Sequence, residues 1–195
     1  MKTLVVGLGN PILGDDGVGW KIAEEIEQHL PHDQSVAVDR LSLGGISLME
    51  HLIGYDRTIL IDAFASDEGL GSIHVMKLND LPNYSAFHIS SAHDTSLQNA
   101  IEMGRSLGAY LPEDITVVGI ATQRIYDFSE ELSPPVAEAI PQTVKIVLDL
   151  FGAGNVHGRR IGVVRRLAHV DVVVGMHGPL RPHDAAEHLN GAVRD

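Results

Sequence analysis

The chain has 195 residues, of which 44% are apolar and 21% charged, and a formal net charge of −12. That length suits one domain with a substantial core, and the composition is that of an ordinary globular protein. Of the 14 basic and 26 acidic residues, 8 and 22 fall in residues 1–152. So acidic a body argues against a nucleic-acid partner, which needs a basic footprint. The absence of cysteine excludes disulfides, a thiolate nucleophile and thiolate metal ligands. No apolar leader precedes Gly7 and no run reaches the length of a membrane span, so a cytoplasmic protein without membrane attachment is expected.

In chain order, Thr3 to Gly7 carries the continuous run Leu4-Val5-Val6, the signature of a strand covered on both faces. A Gly-rich turn follows, then the acid pair Asp15 and Asp16. A helix beginning near Asp16 or Gly17 has Val18, Ile22, Ile26 and Leu30 on one face and ends at Pro31. Ser35 to Leu41 reads as the second strand. Gly44 and Gly45 turn the chain into a helix over Ile46 to Ile53, with Gly54 as its stop. The third strand, Thr58 to Ile61, runs into Asp62, Ala63 and Phe64. Ser72 to Leu78 reads as another strand, antiparallel because so little chain is available for a crossover. Asn79 to Ser91 is polar and irregular.

A helix is expected from about Asp94 to Leu107, with Leu97, Ile101 and either Met103 or Gly104 inward. Thr116 to Ala121 reads as a buried strand. Pro134 and Pro135 open a last helix bearing Val136, Ile140, Val144, Val147, Leu148 and Phe151. This alternation predicts an α/β fold: a three-layer α/β/α domain with a mostly parallel sheet and one antiparallel edge strand. The domain is expected over residues 1–152. Residues 153–195 form an extension with two Arg pairs and five of the eleven histidines, in which Ile161 to Val164 and Val170 to Val174 suit short strands.

Three chemistries compete for the opening loop. A dinucleotide fingerprint needs G-x-G-x-x-G and an acid about 20 residues further on; Gly7 and Gly9 fit, but Ile12 holds the third place and Asp39 comes late. The second is a metal site. Asp16 follows the first strand, Asp62 ends the third, and His93 feeds a helix, so all three belong to the carboxyl edge of a parallel sheet. Two carboxylates and one imidazole suit a borderline divalent metal and leave positions open for an outside ligand. The third is a hydrolase. No G-x-S-x-G elbow occurs, but Asp16 and Asp62 suffice for a carboxylate dyad. Each residue also has a plain structural role: Asp15 or Asp16 as a helix cap, Asp62 as a strand-end acid, His93 as a loop residue, and Ser90, Ser91 and Asp94 as helix-entry residues. The tail histidines His157, His169, His177, His183 and His188 read as adventitious.

GLGNPILGDDGVG at the N-terminus, ILIDAF on the third strand and SAHDTSL before a helix together resemble the nickel–iron hydrogenase maturation endopeptidases over roughly residues 2–150. The resemblance implies cleavage of a C-terminal extension from the hydrogenase large-subunit precursor. It also implies that Asp16, Asp62 and His93 are the catalytic and metal-binding residues, engaging nickel already loaded in that precursor. Some members carry Glu at the place of Asp16, and the extension past residue 152 exceeds the usual family length. A further expectation is that the glycines near Asp16, with Gly44 and Gly45, let a substrate backbone approach closely. The opening LVVGLGNP also resembles peptidyl-tRNA hydrolase, whose Thr-Arg-His-Asn signature is absent here, with no His before His29. A non-catalytic metal-binding maturation factor is the other alternative.

Overall fold

The computed structural model describes residues 1–30, 35–65, 69–81, 96–123, 128–153 and 172–174. Its strands are β1 (Thr3–Leu8), β2 (Val36–Leu41), β3 (Arg57–Ala65), β4 (Ile73–Lys77), β5 (Asp114–Thr122) and β6 (Val172–Val174). The helices are α1 (Val18–His29), α2 (Gly45–His51), α3 (Leu97–Ser106) and α4 (Pro134–Ala153). The sheet order is β2-β1-β3-β5-β4-β6, with β4 antiparallel to β5 and every other pair parallel. The short connection from β3 to β4 does force an antiparallel return. Beyond β4, Val172–Val174 adds a strand on its outer side.

The core splits into two clusters, one on each face of the sheet, because successive strand residues point to opposite sides. On one face Val5, Ile59, Ile61, Val118 and Ile120 meet Val18, Ile22 and Ile26 of α1 and Val136, Val144 and Val147 of α4. On the other, Leu4, Val6, Leu8, Leu60 and Val117 meet Leu48 and Met49 of α2, Leu52 just after it, and Leu97, Ala100 and Ile101 of α3. This is the expected three-layer arrangement. The unbroken apolar runs of β1, β3 and β5 follow from coverage on both faces. All six residues of β2 are half-buried, as suits a strand at the sheet's rim.

Several boundaries differ from expectation. The chain does not enter α1 directly at Asp16; a 3₁₀ turn, Gly14–Gly17, intervenes, and no side chain caps α1. β3 continues to Ala65, so Asp62 lies within the strand rather than at its end. Pairing with β5 holds β3 extended as far as Ala65 opposite Thr122. α3 begins at Leu97, where the Ser96 hydroxyl accepts from the Asn99 N–H, three residues later than Asp94. Gly104 is its inward residue and Met103 is exposed. Among the described residues, no helix is long and apolar enough to cross a membrane. Pro31, Ser90, Ser91, His93, Asp94, the five tail histidines and Ile161 to Val164 lie outside the described residues.

Candidate functional site at the crevice between β1 and β3

From β1 the chain turns outward through α1 to β2; from β3 it proceeds to the opposite half of the sheet. The crevice between β1 and β3 is therefore the topological switch point, where open α/β sheets bind ligands at their carboxyl ends. The register shows it opening. Gly7 opposite Ile61 is the last pair between these strands. Leu8 then pairs only with Leu41 of β2, and Asp62 only with Gly119 of β5.

Glycines let α1 reach into this crevice. A Cβ on Gly19 would stand 2.3 Å from the Leu8 carbonyl oxygen and 2.5 Å from that of Ile61, and one on Gly7 would stand 2.2 Å from the Gly19 carbonyl oxygen. Contacts that short are impossible for a real side chain, so the first turn of α1 is seated directly on the backbone of both strands. The preceding 3₁₀ turn, which carries Asp16, lies against β3. At Gly9, with φ of 131°, a Cβ would fall 1.9 Å from the Asp16 carbonyl oxygen. A Cβ on Gly17 would stand 2.8 Å from Pro11 Cα. The space at Gly9 and Gly17 is thus taken by the chain's own backbone, which corrects, for these two glycines, the expectation that they serve a substrate's approach.

The two described acids flank the crevice. Asp16 is half-buried, and its Oδ2 accepts the Asn10 N–H at 2.7 Å. Asp62 is 2% exposed. Strand alternation puts its carboxylate on the Leu60 side, where α2 and α3 cover the sheet. α3 begins on that side, and His93 lies three residues before its cap Ser96 in the sequence. Among the described residues no three His, Cys, Asp or Glu side chains cluster closely enough for a metal. Of the three donors expected from the sequence, the two carboxylates are the described ones; oxygen ligands alone suit the harder divalent ions, and the borderline character of the expected set comes from the imidazole.

Asp15 has a role the sequence did not disclose. It is buried, and its carboxylate accepts both the Ser133 N–H, at 2.6 Å, and the Ser133 hydroxyl, at 2.8 Å. Ser133 immediately precedes α4, so Asp15 anchors the start of a helix 118 residues away rather than capping α1. Further bonds clip the same two loops: Gly14 N–H to Ser129 O at 2.6 Å and Ser129 N–H to Ile12 O at 3.0 Å. On the other flank, the Ser42 hydroxyl donates to Gly9 O and the Trp20 indole to Leu41 O. The loop bearing Asp16 is tied down on both sides.

His74 was also missed. Its register on β4 places it opposite Gly119, which is itself opposite Asp62, so the three residues share one row across the sheet. The imidazole stands edge-on to Phe64 at 4.9 Å and its Nε2 is 2.9 Å from the Ser72 hydroxyl. Burial holds its pKa below the usual histidine value. Two surface depressions, of about 690 and 570 Å³, open at the opposite, amino edge of the sheet around Arg105, Glu113 and Asp114 or Tyr110. They are remote from Asp16 and Asp62, which lie toward the carboxyl edge.

Comparison with known proteins gives a consistent picture. The model of the hydrogenase maturation protease family matches residues 20–150. The chain is 24% identical over 192 residues to the hydrogenase expression/formation protein HoxM of Azotobacter vinelandii, covering 98% of this chain and 92% of that one. In structure it resembles an endopeptidase from Escherichia coli solved in solution, at TM-score 0.63 and 25% identity, over 80% of this chain and 95% of that chain. It also resembles the hydrogenase-maturating endopeptidase HybD of E. coli, at TM-score 0.61 and 23% identity, over 80% and 94% of the respective chains.

Proposed function

Because the chain belongs to the hydrogenase maturation protease family, we propose that it is the endopeptidase that removes the C-terminal extension from a nickel-loaded nickel–iron hydrogenase large-subunit precursor. On this reading Asp16, Asp62 and His93 bind the nickel that the precursor carries, and cleavage occurs beside it. The observation that carries the reading is the seating of Gly19 on the Leu8 and Ile61 carbonyls. It sets the turn bearing Asp16 and the strand bearing Asp62 on the two lips of one crevice.

The nickel arrives as part of the substrate. Two carboxylates and an imidazole are donors that nickel accepts, and a three-ligand set leaves positions for groups of the precursor. Bound there, the ion supplies positive charge for recognition and for polarising a nearby carbonyl. The chain's own residues fix the geometry. The Asn10 N–H orients the Asp16 carboxylate. Burial of Asp62 on a strand still held by β5 keeps its carboxylate from swinging toward water. The Asp15–Ser133 clip holds the loop that carries Asp16. Water adds across the scissile amide, and the products are a mature C-terminal carboxylate and the free amine of the released segment.

The test is processing of nickel-loaded precursor by Asp62→Asn and His93→Ala, followed by gel shift, with circular dichroism to verify the fold. Both variants are expected to remain folded and to leave the precursor uncut. Near-normal cleavage by both would refute the site.

A further inference from the structure

Beside the crevice, two large apolar side chains stand in water on a well-fixed backbone. Ile12 is 47% exposed and Phe128 is 83% exposed. Their segments are joined by a parallel bridge, Leu13 to Ser129, whose register sets Ile12 level with Phe128. The bonds Ser129 N–H to Ile12 O and Gly14 N–H to Ser129 O hold the pair in place, and Asp15 secures the chain again at Ser133. Fraying therefore does not account for the exposure of the Phe128 ring. Folding gains nothing from leaving it there, whereas an arriving partner gains by covering it.

The surroundings indicate the partner's chemistry. Glu130 and Glu131 lie two and three residues beyond Phe128 and are exposed, and among the described residues neither carboxylate is paired with a base. Asp16 lies four residues beyond Ile12, within the same tied loop, its N–H bonded to Leu13 O. The face thus combines an apolar pair with the exposed carboxylates of Glu130 and Glu131, beside the loop that carries Asp16.

We propose that Ile12 and Phe128, flanked by Glu130 and Glu131, form the docking surface for a segment of the precursor in which an apolar side chain adjoins Lys or Arg. The apolar side chain covers the Phe128 ring, and the base meets the two glutamates. Opposite charge chiefly speeds and orients encounter, while the desolvated aromatic supplies the anchor. The proposal rests on the precursor-processing reading and names how that substrate is held.

The experiment compares Ile12→Ser/Phe128→Ser and Glu130→Lys/Glu131→Lys with the unaltered chain. Cleavage of nickel-loaded precursor gives KM and kcat, and binding of the same precursor is measured in an Asp62→Asn background at low and high salt. The four docking residues are exposed, and a thermal melt verifies the fold of each variant and of the Asp62→Asn background. The apolar double variant is expected to raise KM and Kd about tenfold or more, with the loss falling in KM rather than kcat. The charge-reversal variant is expected to weaken binding at low salt and to flatten its salt dependence. Unchanged KM and Kd alongside normal cleavage by the unaltered chain would overturn the docking surface and leave the processing function standing. Binding that is lost in both variants, with no cleavage even by the unaltered chain, would support the surface and refute the processing function. Neither binding nor cleavage by the unaltered chain would overturn both. A dimer of the unaltered chain that Phe128→Ser abolishes, with precursor binding intact, would assign the face to self-association and overturn the proposal.

Discussion

Replacing Gly19 by alanine tests the feature that brings the two acids to one crevice. The added Cβ would lie 2.3 Å from Leu8 O, 2.5 Å from Ile61 O and 2.9 Å from Leu8 N, where ordinary contact begins at 3.4 Å. All three obstacles are backbone atoms of central strands, so relief must come from α1, which has to lift by about 1 Å. Overpacking of this kind costs about 1–3 kcal/mol, and the rigid neighbours place Gly19→Ala near the top of that range. Better helix propensity of alanine returns at most about 1 kcal/mol. A net loss of about 2 kcal/mol lowers Tm by roughly 4–8 °C for a chain of this size. Precursor cleavage should fall by more than the unfolded fraction explains, because the lifted helix start moves Asp16 away from Asp62. Scanning calorimetry and urea unfolding read the first effect, and cleavage at a temperature where the variant is fully folded reads the second. The control is Gly108→Ala, at φ of 85° with nothing within 4 Å, which is expected to lose stability through backbone strain alone and to keep its activity. A Gly19→Ala protein as stable and active as the unaltered chain would refute the close seating of α1.

Asp15→Ala removes both acceptors of Ser133 and leaves its half-buried N–H without that partner. We expect a loss of about 2–3 kcal/mol in urea unfolding, with Asp15→Asn, which keeps an acceptor, losing less. His74 binds a proton less readily in the folded chain than in the unfolded one, since burial lowers its pKa. Stability should therefore decline as pH falls below the unfolded value of about 6.5 and on through the folded pKa, and be unaffected by this group above it. Urea midpoints between about pH 7 and pH 5 should fall less steeply for His74→Gln; identical slopes would remove the assignment. A chain ending at Gly152 should keep a single cooperative melt, because among the described residues both core clusters lie within 4–151. Loss of that transition would show that the extension, including β6, is needed by the core.

Much of the fold was legible in the sequence because central parallel strands are apolar on both faces. Leu4-Val5-Val6, Ile59-Leu60-Ile61 and the run from Thr116 to Ala121 stand out against any polar background. The four-residue spacing of Val18, Ile22 and Ile26 likewise named the buried face of α1 correctly. The sequence was silent where the deciding partner is distant. Ala63-Phe64-Ala65 carries no strand signature, and only pairing with β5 keeps that stretch extended past Asp62. Asp15 and Asp16 look equivalent in the chain, yet one is drawn to Ser133 and the other to Asn10. His74 gave no local sign of sharing a row with Asp62, because Gly119 lies between them on a third strand.

The central claim is that this chain cuts a precursor whose nickel it grips through Asp16, Asp62 and His93. The most direct measurement is the mass of the large-subunit precursor after incubation with the purified chain, with and without prior nickel loading. The account predicts a discrete loss of a C-terminal fragment from the nickel-loaded precursor only. Equal cutting of the nickel-free precursor would contradict it.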